Sequence, residues 1–178
     1  MKKLIIFLIL VVGGVYFYGR SLPRDHTVRS QIVLVTARQD SIWKLVRSIG
    51  AQPAWWDDVK SVRPLTGRRR ETWEQNMGGG GGLISVEVTS VSEGERMVTT
   101  IVPNDEEDET KMAWGGKWTY RVFQSASGTT IQITEEGWVD PPFFRVMQKL
   151  RGNYRTVDSY LSSLGAQFGE QVSPRHAP

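Results

Sequence analysis

From residue 59 to residue 138 the sequence carries no helical periodicity. Six strand-length segments rich in Val, Ile, Thr, Trp and Tyr follow one another instead, at 59–65, 70–77, 83–91, 96–102, 117–123 and 129–138. Turn signals separate them: Thr66-Gly67, the glycine run 78–82, Ser92-Glu93-Gly94, an acidic stretch after Asn104, and Ser127-Gly128. Connections this short suit antiparallel neighbours, because parallel neighbours need a crossover of a dozen or more residues. The central half of the chain therefore reads as an antiparallel meander.

Both flanks complete that sheet. Residues 27–36 place Val28, Ile32 and Leu34 on one face and Arg29, Gln31, Val33 and Val35 on the other, a seventh strand. At 38–49 the period changes, with Ile42, Leu45, Val46 and Ile49 at helical spacing, Asp40 in the first turn and Gly50 at the end. Residues 52–59 begin with a Pro suited to a helix start and allow one further helical turn. After Pro141-Pro142, the residues Phe143, Met147, Leu150, Tyr154, Val157, Leu161, Leu164 and Phe168 recur at steps of four and three. That stripe predicts one long helix of about seven turns, with Gly152 inside it at a cost of about 1 kcal/mol relative to Ala. The tail from Glu170 shows no pattern and reads as frayed.

The N-terminus is a different material. Leu4 to Gly19 is an uncharged run of sixteen residues between Lys2-Lys3 and Arg20. As a helix it is about 24 Å long, slightly short of a hydrocarbon core of roughly 30 Å, and snorkelling lysines or local thinning would close the gap. Tyr16, Phe17 and Tyr18 fall where an aromatic belt belongs. A cleaved signal peptide is the rival reading. Tyr18, Gly19, Arg20, Ser21 and Leu22 offer no A-x-A pattern, which argues for a retained single-pass anchor. The positive-inside rule is nearly balanced, with Arg20 and Arg24 after the span. A short basic head commonly stays in the cytoplasm, which predicts a soluble domain on the periplasmic or extracytoplasmic side. The expected organisation is an anchor at 1–22, a domain at 23–169 and a tail at 170–178.

Charge excludes one class of partner. The net charge of +3 resides entirely in residues 1–20, which hold Lys2, Lys3, Arg20 and no acid, so the rest of the chain is neutral. Nucleic-acid binding is not expected. The cluster Arg68-Arg69-Arg70 reads as a solvated turn, and the acidic run 105–109 lacks the alternating spacing of a calcium loop. With no cysteine and two histidines, thiolate chemistry, disulfides and histidine-rich metal sites are excluded, and no cofactor is expected. There is no G-x-S-x-G and no H-E-x-x-H, and the glycine run is not followed by the Lys-Ser/Thr of a phosphate loop. The carboxylate pairs Asp57-Asp58 and Glu135-Glu136 remain, and neighbours on a strand point to opposite faces.

The order strand, helix, short helix, six strands, long helix resembles the START-like, or SRPBCC, superfamily, in particular its polyketide cyclase/dehydrase-like bacterial members. The resemblance covers about residues 27–168. It rests on Val35-Thr36-Ala37 leading to Ile42-Trp43, on Ala54-Trp55-Trp56 with Asp58-Val59, on Trp118-Thr119-Tyr120, and on Gly128-Thr129 through Glu135-Glu136-Gly137 to Pro141. It implies an α+β helix-grip fold, a curved seven-stranded antiparallel sheet around a long C-terminal helix, here preceded by one transmembrane helix. It also implies an elongated cavity for an apolar ligand such as a lipid, quinone or polyketide. Trp73, Trp118, Tyr120, Met147, Leu150 and Tyr154 are the candidates to line it, although each also reads as core packing. Trp55 and Trp56 would stand at its mouth, one packed inward and one wet. If Asp58, Glu135 or Glu136 faced the cavity, it would supply an acid or base for a cyclase-like reaction. A third reading is an interaction protein of a membrane complex, its interior filled by tryptophans.

Overall fold

The computed structural model describes residues 2–78, 81–104 and 112–177. The acidic run 105–109 and the middle of the glycine run, Gly79 and Gly80, lie outside these residues. A single helix, α1 (Lys2–Ser21), is followed three residues later by β1 (Asp25–Leu34). Next come α2 (Gln39–Arg47) and a 3-10 turn (Ile49–Ala54), which takes the place of the helical turn expected at 52–59. The meander is β2 (Val59–Pro64), β3 (Thr72–Met77), β4 (Gly82–Ser92), β5 (Arg96–Val102), β6 (Trp114–Ser125) and β7 (Gly128–Val139). The chain closes with α3 (Pro142–Arg151), α4 (Arg155–Gln167) and the two-residue β8 (Arg175–His176).

All strands join one antiparallel sheet in the order β2-β3-β4-β5-β6-β7-β1-β8. Register shifts between Val59 and Ser61 and between Val88 and Ser90 bend it. Its inner face carries Val28, Ser30, Ile32 and Leu34 of β1 beside Ile133 and Ile131 of β7. Against that face lie Ile42, Trp43 and Val46 of α2 and Val157, Tyr160, Leu161 and Leu164 of α4. Fully burying one such aliphatic or aromatic side chain contributes about 1.5–3 kcal/mol.

Three expectations are corrected. The C-terminal stripe is not one helix. Gly152 adopts φ +81°, donates its N–H to Gln148 and ends α3, because a glycine at that position prefers the left-handed stop to a further helical turn. The tail is not frayed. Ser30 and Gln31 of β1 pair with His176 and Arg175, and Glu170 accepts the backbone N–H groups of Val35 and Thr36, each at 2.9 Å. The sheet consequently has eight strands rather than seven. The arginine cluster does lie at an exposed turn, where Arg70 pairs with Glu87 at 3.0 Å and Arg68 donates to the Pro103 carbonyl at 3.1 Å.

Candidate functional site

One inner-face row at the sheet end nearest α1 is polar. His26 opposes Gly137, and Val28 opposes Glu135, so the side chains of His26 and Glu135 share that face one register step apart. His26 Nε2 lies 3.1 Å from Glu135 Oε1, and both side chains are largely buried, at 12% and 20% exposure. Gln148 of α3 brings its amide nitrogen to 3.1 Å from each imidazole nitrogen. Gly137 makes the arrangement possible, since a Cβ there would stand 2.5 Å from His26 Cε1. Glu136, its neighbour, points to the other face and pairs with Lys117 at 3.0 Å. The opposite-face expectation for this carboxylate pair holds.

Beside Glu135 in the register is Trp118, which opens an aromatic cluster. Tyr160 of α4 sits at its centre, with ring centroids 5.0 Å from Trp55, 5.0 Å from Trp56, 5.9 Å from Trp118 and 5.7 Å from Tyr120. Most of these contacts are edge-to-face, the arrangement that the ring quadrupoles favour. Burial pushes the Tyr120 hydroxyl well above its ordinary pKa, and it does the same to Tyr160, so both remain neutral. Tyr120 shares a hydrogen bond with the Thr99 side chain. The Tyr160 hydroxyl and Trp55 Nε1 are fully buried with no hydrogen-bond partner among the described residues.

Of the eight residues singled out from the sequence, four meet in this cluster: Trp55, Trp56, Trp118 and Tyr120. Trp55 and Trp56 are 7% and 3% exposed, so neither is the wet residue expected at a mouth. The 3-10 turn tucks both inward, and Trp56 Nε1 donates to Ser159 of α4 at 3.3 Å. The other four lie elsewhere. Trp73 is half-buried over Gly50 and donates to Glu71, whose carboxyl is held below its usual range mainly by hydrogen bonding to Arg47. Tyr154 stacks on His176 at 3.6 Å. Met147 is half-buried on α3, while Leu150 is 77% exposed and does not line the interior. Sequence reasoning missed Tyr160, which stands three residues after Val157 and four before Leu164 on the face already recognised. It also missed His26 with Glu135, whose meeting depends on the β1–β7 register.

An open pocket of about 540 Å³ adjoins the polar row. Its origin is a split in the sheet. β5 and β6 pair only as far as Thr100 and Lys117; beyond them Ile101 follows β4 and Gly116 follows β7. Into the gap face His26, Thr27, Thr100, Ile101, Met112 and Gly116, among others, so the pocket is lined from both sides of the sheet. His26 belongs to both pocket and polar row. Among the described residues no cluster of His, Asp or Glu has the make-up of a metal site.

Neither a protein-family model nor a curated protein matches the chain. Solved structures do. The chain is similar to the Zhui aromatase/cyclase from Streptomyces sp. R1128, at 10% identity over 80% of this chain and 93% of that one, with a TM-score of 0.64. It is also similar to norcoclaurine synthase from Thalictrum flavum in complex with dopamine and hydroxybenzaldehyde, at 12% identity over 88% and 93%, TM-score 0.62. Protein CV1439 from Chromobacterium violaceum is 18% identical over 79% and 95%, TM-score 0.54. Identities this low speak for the fold alone, and the fold is the helix-grip architecture of the START-like, or SRPBCC, proteins.

Proposed function

We propose that this chain is a membrane-anchored module that binds an apolar small molecule with a polar end, seated in the pocket between β5 and β6. The observation that carries the reading is the pocket itself. It opens through the split sheet onto His26, joins apolar lining from Ile101 and Met112 to an imidazole held by Glu135, and takes part of its wall from the start of β1, which follows α1 after a three-residue link. The aromatic cluster fills the space between sheet and α4, so the ligand sits at the split instead of deep under the helix. In support, norcoclaurine synthase, which shares the fold, holds dopamine and hydroxybenzaldehyde, both small aromatic molecules. α1 is long and apolar enough to cross a bilayer and is hardly covered by the rest of the chain, which favours an anchor with the pocket held near the membrane. The basic head Lys2-Lys3 favours the cytoplasm for the N-terminus and the extracytoplasmic side for the domain.

The test is ligand retention. Full-length protein in nanodiscs is extracted with organic solvent, and small molecules are identified by mass spectrometry beside a Thr100→Trp variant that places a ring in the gap. A near-stoichiometric apolar molecule lost from the variant supports the proposal. Empty wild-type protein, or equal retention in both, defeats it. The His26–Glu135 pair favours a second reading, a cyclase-like proton transfer on the bound molecule, with His26 as base and Glu135 setting its tautomer. His26→Gln would then abolish turnover and leave retention intact.

A further inference from the structure

The α3 helix is turned inside out relative to α4. Its polar residues face the protein: Arg145 donates to the carbonyls of Leu22 at 3.3 Å, Val139 at 2.8 Å and Asp140 at 2.7 Å, and Gln148 reaches His26. Three of its large apolar residues face away, Phe143, Phe144 and Leu150, at 56%, 52% and 77% exposure. A helix that served only the core would reverse those roles. Between Asp140 and Asp158 every charged residue is basic: Arg145, Lys149, Arg151 and Arg155.

The position of α3 names what covers that face. It touches the end of the anchor at Tyr18, Gly19 and, just beyond α1, Leu22. A Cβ on the buried Gly19 would overlap the Pro142 carbonyl, Lys149 Nζ stands 5.6 Å from the Tyr18 ring, and Arg145 holds the Leu22 carbonyl. If α1 spans a bilayer, its last turn emerges at the headgroup layer, and α3 is fixed to that turn. We propose that α3 is an interfacial helix, lying in the headgroup layer of an anionic bilayer with Phe143, Phe144 and Leu150 at the acyl boundary and Lys149, Arg151 and Arg155 on lipid phosphates. This rests on the anchoring proposed above and adds a second membrane contact. Because Gln148 ties α3 to His26, that contact would hold the pocket mouth against the bilayer surface.

The chain has no cysteine, so single spin labels report without background. Full-length Leu10→Cys, Phe144→Cys, Leu150→Cys and Ser162→Cys variants, all at exposed positions, go into phosphatidylcholine nanodiscs with and without phosphatidylglycerol. Collision with oxygen against an aqueous nickel chelate reads depth. The expected order is position 10 deepest, 144 and 150 intermediate and 162 in water, with 144 and 150 shifting toward water when phosphatidylglycerol is omitted or when Lys149, Arg151 and Arg155 are replaced by Ala. Labels at 144 and 150 as wet as 162, with position 10 deep, overturn the α3 proposal and leave the anchor standing. A wet position 10 overturns both. Labels shielded from both reagents mean a protein neighbour, such as a second copy, and depths indifferent to phosphatidylglycerol remove the anionic-lipid requirement; either result overturns the proposal as stated.

Discussion

On either side of Gly152 the same apolar repeat meets opposite surroundings. In α4 it supplies Val157, Leu161 and Leu164, each with no exposed surface, and α3 has no buried residue at all. The repeat specifies that a face is apolar and leaves open what covers it. For α4 the cover is the sheet. For α3 the hydrogen bonds to the rest of the protein come through Arg145 and Gln148, and Phe143, Phe144 and Leu150 are left outward. The left-handed φ of Gly152 lets the chain change both axis and rotation between the halves, so a stripe continuous in sequence is discontinuous in space.

The largest expected break between the two halves is energetic. Leu164→Ala should destabilise the fold by about 2–5 kcal/mol, whereas Leu150→Ala should change it by no more than about 0.5 kcal/mol, as read by chemical denaturation in detergent. Equal losses would mean that α3 is as much a core helix as α4. Tyr160→Phe sharpens the α4 side. It deletes a buried hydroxyl without a partner among the described residues and keeps every ring contact, so stability should rise by about 1 kcal/mol. A drop would reveal a partner for that hydroxyl. Gly152→Ala gives a sign test of the break itself. In an unbroken helix the substitution would stabilise by about 1 kcal/mol; at φ +81° it should destabilise by about the same amount, although the space around the residue is open. A raised melting temperature would contradict the break.

The smallest effect concerns the segment after α4. The Thr36 hydroxyl first, then the backbone N–H of Val35, hold the Glu170 carboxyl below its usual range. A lowered folded pKa means that its stabilising contribution is complete above the unfolded carboxylate value and is lost as pH falls through the folded one. Glu170→Gln should therefore flatten part of the acid limb of the stability curve and speed hydrogen exchange at Gln31, whose backbone is directed at β8. Unchanged exchange there would show that β8 docks without it.

Much of this architecture was legible because its signals are local. Short turns such as Ser127-Gly128 dictate antiparallel neighbours, and the spacing of Ile42 and Val46 gives α2. The parts that were not legible depend on relations between distant residues. The meeting of His26 and Glu135 depends on β1 lying beside β7. The pocket depends on where β5 and β6 stop pairing, which no residue type marks. Trp55 and Trp56 are adjacent, and an alternating strand would have exposed one; the 3-10 turn before them rotates both into the core. Leu150 fits the stripe as well as Leu161 does, and only the turn at Gly152 separates their fates.

The two-residue β8 has a bearing on how the molecule behaves among its own copies. An open sheet has two outer strands whose free N–H and C=O groups invite a strand from another chain. On one side β2 discourages such a guest with Pro64, Arg63 and a register shift at Val59. On the other side β1 is ten residues long and regular, and β8 covers it beside Ser30 and Gln31, with the Ala177 N–H donating to the Arg29 carbonyl at 2.9 Å. A fusion or deletion that dislodges Arg175 and His176 would uncover a template for strand addition, so tags on this protein are better placed away from β8.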